Sequence, residues 1–187
     1  MIQYTNIDKN NNLIYDKPDK VYEKEELIQK FENFLSVGGF VVKKWINNKR
    51  VPYELLVSNG GKDYRFIVYL KNITGAGWAE KPHIRRVQVT NIRKEDPDRY
   101  IDPTDQDVFM VLGYYEFDNN PIMVAWDAYK YVMHNTNRSC YVETSNLQAG
   151  YSKGIEITNC SEQKIWVFKA EYFKIFLDSY VKELKVD

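Results

Sequence analysis

The chain has 187 residues and no net charge, because 26 lysines and arginines balance 26 aspartates and glutamates. This length suffices for one sizeable hydrophobic core, and a content of 44% hydrophobic and 15% aromatic residues excludes a disordered chain. The balanced charge excludes a strongly basic field over the whole molecule. Any affinity for nucleic acid therefore has to come from local charge.

The polar start of the chain lacks the apolar stretch of a signal peptide, and no run approaches the ~20 apolar residues that span a bilayer. We therefore expect a cytoplasmic protein with no membrane partner. Cys140 and Cys160 have no cysteine or histidine partner at metal-ligand spacing. Accordingly, we expect no metal and no cofactor.

Residues 1–22 form a polar segment rich in Asn, Asp and Lys, to which we assign no function. Residues 23–35 carry apolar side chains at helical spacing before Gly38-Gly39, which predicts an amphipathic helix. Strands are predicted from β-branched, aromatic and alternating patterns at residues 40–45, 51–58, 64–73, 87–91, 108–113, 122–126, 139–142 and 164–169.

The end of the chain is predicted to be helical, with a helical turn at residues 147–150 and a closing helix at residues 171–184. The acidic, proline-containing segment at residues 95–107 is predicted to be a surface loop. One helix, many short strands and a final helix, without regular βαβ alternation, predict an α+β fold with a twisted or barrel-like sheet and helices at its ends. Residues 23–187 are predicted to form a single domain.

Five sequence blocks occur in an order that resembles a domain found beside DNA methyltransferases and restriction nucleases. The first, Phe66 to Thr90, joins an aromatic-rich strand ending in Asn and Thr, a glycine-rich loop and an Arg-Arg-Val-Gln strand. The others lie at residues 111–114, 123–127, 139–142 and 165–169. The resemblance implies a DNA-recognition domain of a bacterial restriction-modification or phage-defence system. It also implies the DNA-binding pseudobarrel type of fold, as in the amino-terminal domain of EcoRII and in plant auxin-response factors.

The segment from Lys71 to Lys94 has the chemistry of a DNA-binding surface. It carries six lysines and arginines against Glu80 alone, a local net charge of 6 − 1 = +5. Backbone amides in a glycine-rich loop can approach a phosphate closely, a forked arginine can read guanine and an amide side chain can read adenine. The alternative is a solvated basic hairpin whose glycines only permit a turn.

In the strand at residues 85–89, alternation places Arg86 and Gln88 on one face, and Arg85 with the two valines on the other. We expect Val87 and Val89 to face the core, so that Arg86 and Gln88 are the better candidates for DNA contacts. Arg85, at the frayed start of the strand, is expected to swing either way. The full set of residues predicted to bind double-stranded DNA is Lys71, Asn72, Thr74, Gly75, Gly77, Trp78, Lys81, Arg85, Arg86, Gln88, Arg93, His134, Asn137 and Arg138.

Two interpretations stay open for other parts of this set. The polar, aromatic-interleaved stretch that contains His134, Asn137 and Arg138 either contacts DNA or is an ordinary loop. Trp78 and Trp126 either line a pocket for a flipped or methylated base or belong to the core.

The sequence leaves three functions open, and the leading one is a DNA reader that serves a nuclease, an ATPase or a methyltransferase in another domain or subunit. A small metal-dependent nuclease would use Asp102, Asp105, Asp107 and Glu116, but the usual acid followed by Glu-x-Lys is not met, and we expect no catalytic residue. The balanced charge favours the third function, a protein-interaction or immunity protein.

Overall fold

A mixed sheet of seven strands lies at the centre of the structure, a computed structural model that describes residues 6–8, 10–14, 19–90, 101–117, 119–132 and 136–184. The strands in these residues are β1 (Asn6–Ile7), β2 (Leu13–Ile14), β3 (Val41–Asn47), β4 (Tyr53–Asn59), β5 (Lys62–Asn72), β6 (Thr74–Gly75), β7 (Ile84–Val89), β8 (Asp107–Phe117), β9 (Asn120–Asp127), β10 (Arg138–Glu143), β11 (Ile155–Cys160) and β12 (Gln163–Phe168). The α-helices are α1 (Lys24–Val37), α2 (Ala128–Val132), α3 (Thr144–Lys153) and α4 (Phe173–Leu184).

The central sheet has the strand order β11-β12-β9-β8-β5-β4-β3. Its neighbouring strands are antiparallel except β5 and β8, which run parallel in the middle of the sheet. Both faces of these two strands are covered, so their side chains are apolar at consecutive positions rather than at every second one. In β5, all five residues from Phe66 to Leu70 are buried.

Two different layers cover the central sheet. Helices α1 and α4 pack on one face, where Phe34 and Phe176 belong to the same core cluster as Val68 of β5. The other face packs against α3 and a three-stranded sheet with the order β10-β7-β6, and Val87 of β7 belongs there to the same cluster as Tyr69 of β5. The three-stranded sheet therefore has one face on the core and one towards solvent.

The helices confirm the periodicity of the sequence. Helix α1 buries Leu27, Phe31, Phe34 and Leu35 and ends at Gly38, where an added Cβ would lie only 2.7 Å from the carbonyl oxygen of Ala170. The closing helix α4, predicted at residues 171–184, buries Phe173, Phe176, Leu177 and Tyr180 along one face. The α+β character with helices near both ends is therefore confirmed.

The predicted closure of the sheet is not observed in the part of the chain that the structure describes. The seven-stranded sheet is open, because β11 and β3 are its two edges and do not pair with each other. Strand β11 was not predicted, β8 is longer than predicted, and the predicted turn at residues 147–150 belongs to the ten-residue helix α3. Of the predicted acidic loop, residues 95–100 lie outside the described residues and Asp107 begins β8.

The amino-terminal segment contributes to the core in spite of its polar composition. Ile7 is fully buried, and the side chain of Asn6 accepts a hydrogen bond from the hydroxyl of Tyr115. Further along, Asp19 and Lys20 pair with charged residues of the main fold. No described helix has the length and apolar character needed to cross a membrane.

Glu116, near the end of β8, is a buried carboxylate held by three donors. Lys20 Nζ and Lys30 Nζ each lie 3.0 Å from one of its oxygens, and the hydroxyl of Tyr114 donates to Oε2 at 2.7 Å. Burial by itself raises the pKa of this carboxyl, but the hydrogen bonds from Tyr114 and the two lysines outweigh it and lower the pKa to about 2. The carboxylate therefore joins the amino-terminal segment, α1 and the central sheet.

Glu116→Gln should lower the free energy of unfolding at neutral pH by about 2 kcal/mol, because it leaves two lysines without their carboxylate. The folded-state pKa lies below the unfolded value, so this stabilisation is present above about pH 5 and is lost as the pH falls towards 2. Urea titrations at several pH values should show a difference between the two proteins that shrinks in acid. Glu156→Gln, at a partly exposed ion pair with Lys153, is the control with little effect. A difference that stays constant with pH would contradict this assignment.

Candidate nucleic-acid interface

Strand β7 is the middle strand of the three-stranded sheet, and from Arg85 to Val89 its side chains alternate between core and solvent. Arg85, Val87 and Val89 are buried, whereas Arg86 is partly exposed and Gln88 is exposed. The predicted division of this strand into two faces is therefore confirmed. The hydrophobic contacts of Val87 and Val89 with the central sheet fix which face turns outwards.

The register of the three strands aligns polar side chains across the solvent side of the sheet. Residues that are directly opposite in antiparallel strands share a face. Arg86 is opposite Tyr141 of β10 and Thr74 of β6, and Gln88 is opposite Ser139. Arg86 Nη1 lies 3.4 Å from Ser139 Oγ. We call these five residues the outer face.

Trp78 extends the outer face from the loop between β6 and β7. Its ring centroid lies 5.3 Å from that of Tyr141, with 33° between the ring planes. Lys81 Nζ lies 5.9 Å from the centroid of the indole, and 45% of Trp78 is exposed. An indole, a phenol, an ammonium and a guanidinium are thus neighbours on one surface. This combination suits the π-faces and phosphates of nucleic acids.

Backbone hydrogen bonds hold the loop that carries Trp78. The amide of Ala76 donates to the carbonyl of Ile84, and the amide of Ile84 donates to the carbonyl of Lys81, both at 3.0 Å. The amide of Lys81 donates to the carbonyl of Trp78 at 3.0 Å. Gly77 has a φ of +80°, in the left-handed region that favours glycine. These backbone hydrogen bonds therefore fix the conformation of the loop that carries the Trp78 indole.

Arg85 lies inside the protein, with 1% of its surface exposed. Its Nε donates to Asp19 Oδ1 at 2.7 Å, its Nη1 donates to Thr144 Oγ1, and its guanidinium carbon lies 5.3 Å from the centroid of Tyr115. The expectation of a frayed strand start is wrong, because β7 already begins at Ile84 and Asp19 holds the guanidinium. Arg85 is therefore not part of the solvent-exposed surface.

Lys71 and Asn72 lie at the end of β5 in the central sheet, not in the three-stranded sheet. Asn72 Nδ2 donates to the carbonyl of Tyr22 at 2.8 Å, and the amide of Tyr22 donates to Asn72 Oδ1 at 3.1 Å. The amide edge that would read adenine is therefore bonded to the backbone of the amino-terminal segment. Lys71 is half-buried and stands opposite Gly113 of β8.

The remaining predicted residues are distributed around the outer face. Gly75 and Gly77 are exposed on the side of β6, and Asn137 and Arg138 are exposed at the start of β10. Two further predicted contacts, Arg93 and His134, lie outside the described residues.

The two tryptophans that the sequence grouped together have different environments. Trp126 is fully buried, and its Nε1 donates to the carbonyl of Tyr141 at 3.1 Å, so it belongs to the core. Trp78 is exposed. The ring of Tyr141 packs against Trp78, and Tyr141 is paired with Arg86 across the two strands. It was not predicted as a site residue. The sequence shows that side chains alternate along β10, but only the pairing register of β10 with β7 shows that Tyr141 is opposite Arg86.

The carboxylates of the nuclease alternative do not form one site. Asp107 and Glu116 lie near opposite ends of β8, nine residues or about 30 Å apart. Arg65 Nη1 lies 2.9 Å from Asp107, and two lysines pair with Glu116. Asp102 and Asp105 precede the strand. Among the described residues, no group of three or more acidic, histidine or cysteine side chains could hold a metal ion.

Comparison with known proteins identifies a family. A family model described as methylase-associated X1 matches residues 64–177, which is more than half of the chain. No curated protein and no solved structure matches the chain. The matched region includes all three strands of the three-stranded sheet and the loop of Trp78. The sequence-based resemblance to a methylase-associated domain is thereby confirmed.

The different positions of two adjacent arginines predict different effects on stability. Arg85→Met should lower the free energy of unfolding by about 3 kcal/mol, because it leaves the largely buried carboxylate of Asp19 without its partner. Arg86→Met, the matched control on the next residue, should change it by less than about 0.5 kcal/mol. Urea denaturation of the two variants measures the difference. Equal losses would contradict the division of β7 into a core face and an outer face.

Proposed function

Because the chain belongs to the methylase-associated X1 family, we propose that it is a double-stranded DNA-binding specificity module of a bacterial restriction-modification or phage-defence system. The family suggests a restriction-modification context, where DNA is the common substrate of the associated enzymes. The partner in this proposal is a nuclease, an ATPase or a methyltransferase, in a separate subunit or in another domain.

The alignment of Arg86 and Gln88 is the single observation that carries the proposal. These side chains are two residues apart on the same face of one strand, so their Cα atoms are separated by about 7 Å. Base pairs follow each other every ~3.4 Å along a strand of the duplex. The two side chains therefore have the spacing to reach bases two steps apart, with a forked guanidinium for guanine and an amide for adenine.

The shape of the three-stranded sheet agrees with this mode of binding. The major groove of B-DNA admits a two-stranded β-ribbon, and β7 and β10 pair over six residues without a bulge. Ser139 and Thr74 supply hydroxyls on either side of the reading strand. In this arrangement the outer face enters the groove, while the loops at its ends meet the phosphates.

Phosphate contacts are assigned to cations around the outer face. Lys81 is exposed in the loop of Trp78, and Arg138 is exposed at the start of β10. Arg85 contributes no such contact, because Asp19 neutralises it inside the protein. Phosphate contacts set the position of the protein on the duplex, and base contacts set the sequence.

Selection from random duplexes, followed by fluorescence anisotropy titrations, tests the proposal. Arg86→Ala should cost about 1–3 kcal/mol on the selected site and relax the preference at one base pair. Lys81→Ala should weaken all sequences equally and reduce the slope of log affinity against log salt by about one unit. Lys44→Ala, an exposed lysine of edge strand β3, is the charge-matched control and should change neither quantity.

The salt dependence gives an independent expectation. If Lys81 and Arg138 each neutralise one phosphate, the slope for the wild-type protein should be roughly −2, from about 0.9 counterions released per phosphate contact. A slope near zero would contradict this mode of binding. The absence of binding to any duplex, whatever its sequence or methylation, would overturn the proposed function.

A further inference from the structure

Trp78 differs from the other tryptophans of the chain in its exposure. Trp126 and Trp166 are buried, and Trp45 is half-buried with its Nε1 donating to Glu32. Trp78 is 45% exposed. The loop that carries it is held by backbone hydrogen bonds and by the buried Ala76. An exposed indole that packs against a second aromatic ring offers a positioned π-surface to a ligand, which makes Trp78 a candidate contact residue.

We propose that Trp78 is a stacking platform for a nucleobase that has left the duplex stack. The inference rests on the proposed DNA-binding function and specifies the state of the DNA that this site takes. Tyr141 packs against the indole at a centroid distance of 5.3 Å and so fixes the tilt of the ring. An open surface cavity, lined by the four consecutive residues Trp78, Ala79, Glu80 and Lys81, lies beside the ring.

Stacking requires an unstacked base for a simple geometric reason. Inside a duplex, neighbouring bases cover both faces of each base, so a protein ring can stack only on a base that is bulged, extruded or single-stranded. The outer face meets a paired duplex through base edges, as Arg86 and Gln88 do in the proposed function. Trp78 lies beside the outer face, because its ring packs against Tyr141, which is paired with Arg86. Both contacts can therefore be made within one site.

The charged groups of the cavity match the parts of a nucleotide. Lys81 Nζ lies over the indole, 5.9 Å from its centroid. A base that stacks on this face displaces the flexible ammonium, which can then pair with the phosphate of the same nucleotide. Glu80 lines the same cavity and offers a carboxylate, which accepts hydrogen bonds from an exocyclic amine. Adenine, cytosine and guanine carry such an amine, whereas thymine does not. We therefore choose an unpaired adenine as the probe.

The experiment compares three duplexes with identical flanking sequence: one fully paired, one with a single extra adenine, and one with an abasic residue at the same place. The two interrupted duplexes share the bend and flexibility of a bulge, so that their difference isolates the base. The wild-type protein should bind the adenine bulge about tenfold more tightly than the abasic bulge, in keeping with the usual gain from stacking one base on an aromatic side chain.

Three variants connect this difference to the indole. Trp78→Ala should remove the preference for adenine over the abasic residue, so that the ratio of the two affinities falls from about ten to about one. Trp78→Phe should keep part of the preference, because a smaller ring still stacks. The control, Lys44→Ala, should keep all of it. Urea denaturation of each variant shows whether it is folded, and an exposed loop residue should change the unfolding midpoint little.

The possible outcomes separate this inference from the proposed function. Equal affinity of the wild-type protein for the adenine and abasic bulges overturns the stacking platform, and so does a preference that survives in a folded Trp78→Ala variant. Binding to the paired duplex in either case leaves the proposed function standing. Failure to bind all three duplexes and all selected duplexes overturns the proposed function, and the platform with it.

Discussion

The buried ion pair between Arg85 and Asp19 fixes how the three-stranded sheet sits on the rest of the protein. A buried guanidinium is costly unless its donors are satisfied, and Arg85 meets this requirement with Asp19 of the amino-terminal segment and Thr144 at the start of α3. Since side chains alternate along a strand, a shift of one residue would turn Arg85 outwards and bury Arg86 without a comparable partner. The position of one arginine inside the protein thus secures the exposure of the next.

This constraint also separates what local sequence predicts from what it cannot. The faces of α1 and α4 and the two faces of β7 follow from hydrophobic periodicity, which depends only on neighbouring residues. The partner of Arg85 lies 66 residues away in sequence, and no local pattern indicates it. The same holds for the open sheet. Strand β11 becomes an edge only through the order in which distant strands pair, and that order is decided by packing.

Counting formal charges along the sequence gives a different surface from the one that the fold presents. The basic segment at residues 71–94 has a formal charge of +5, yet the charge of Arg85 is neutralised by Asp19 inside the protein. The same holds for the carboxylates considered as nuclease residues. Glu116 and Asp107 are each neutralised by an ion pair with basic side chains. Composition reports the charges that a chain carries. The tertiary structure determines which of them a ligand meets.

Side chains of the central sheet hydrogen-bond to the backbone of β10, the strand that carries two residues of the outer face. Gln163 of β12 accepts a hydrogen bond from the amide of Tyr141 at 2.9 Å and donates to the carbonyl of Ser139 at 3.3 Å. Trp126 of β9 donates to the carbonyl of Tyr141 at 3.1 Å. The backbone of β10 is therefore held by two strands of the core, in addition to its pairing with β7. A surface fixed in this way loses little conformational entropy when it binds, so its contacts contribute to affinity with a small ordering cost. These hydrogen bonds fix the position of Tyr141, whose ring packs against the indole of Trp78 and which is paired with Arg86 across the two strands.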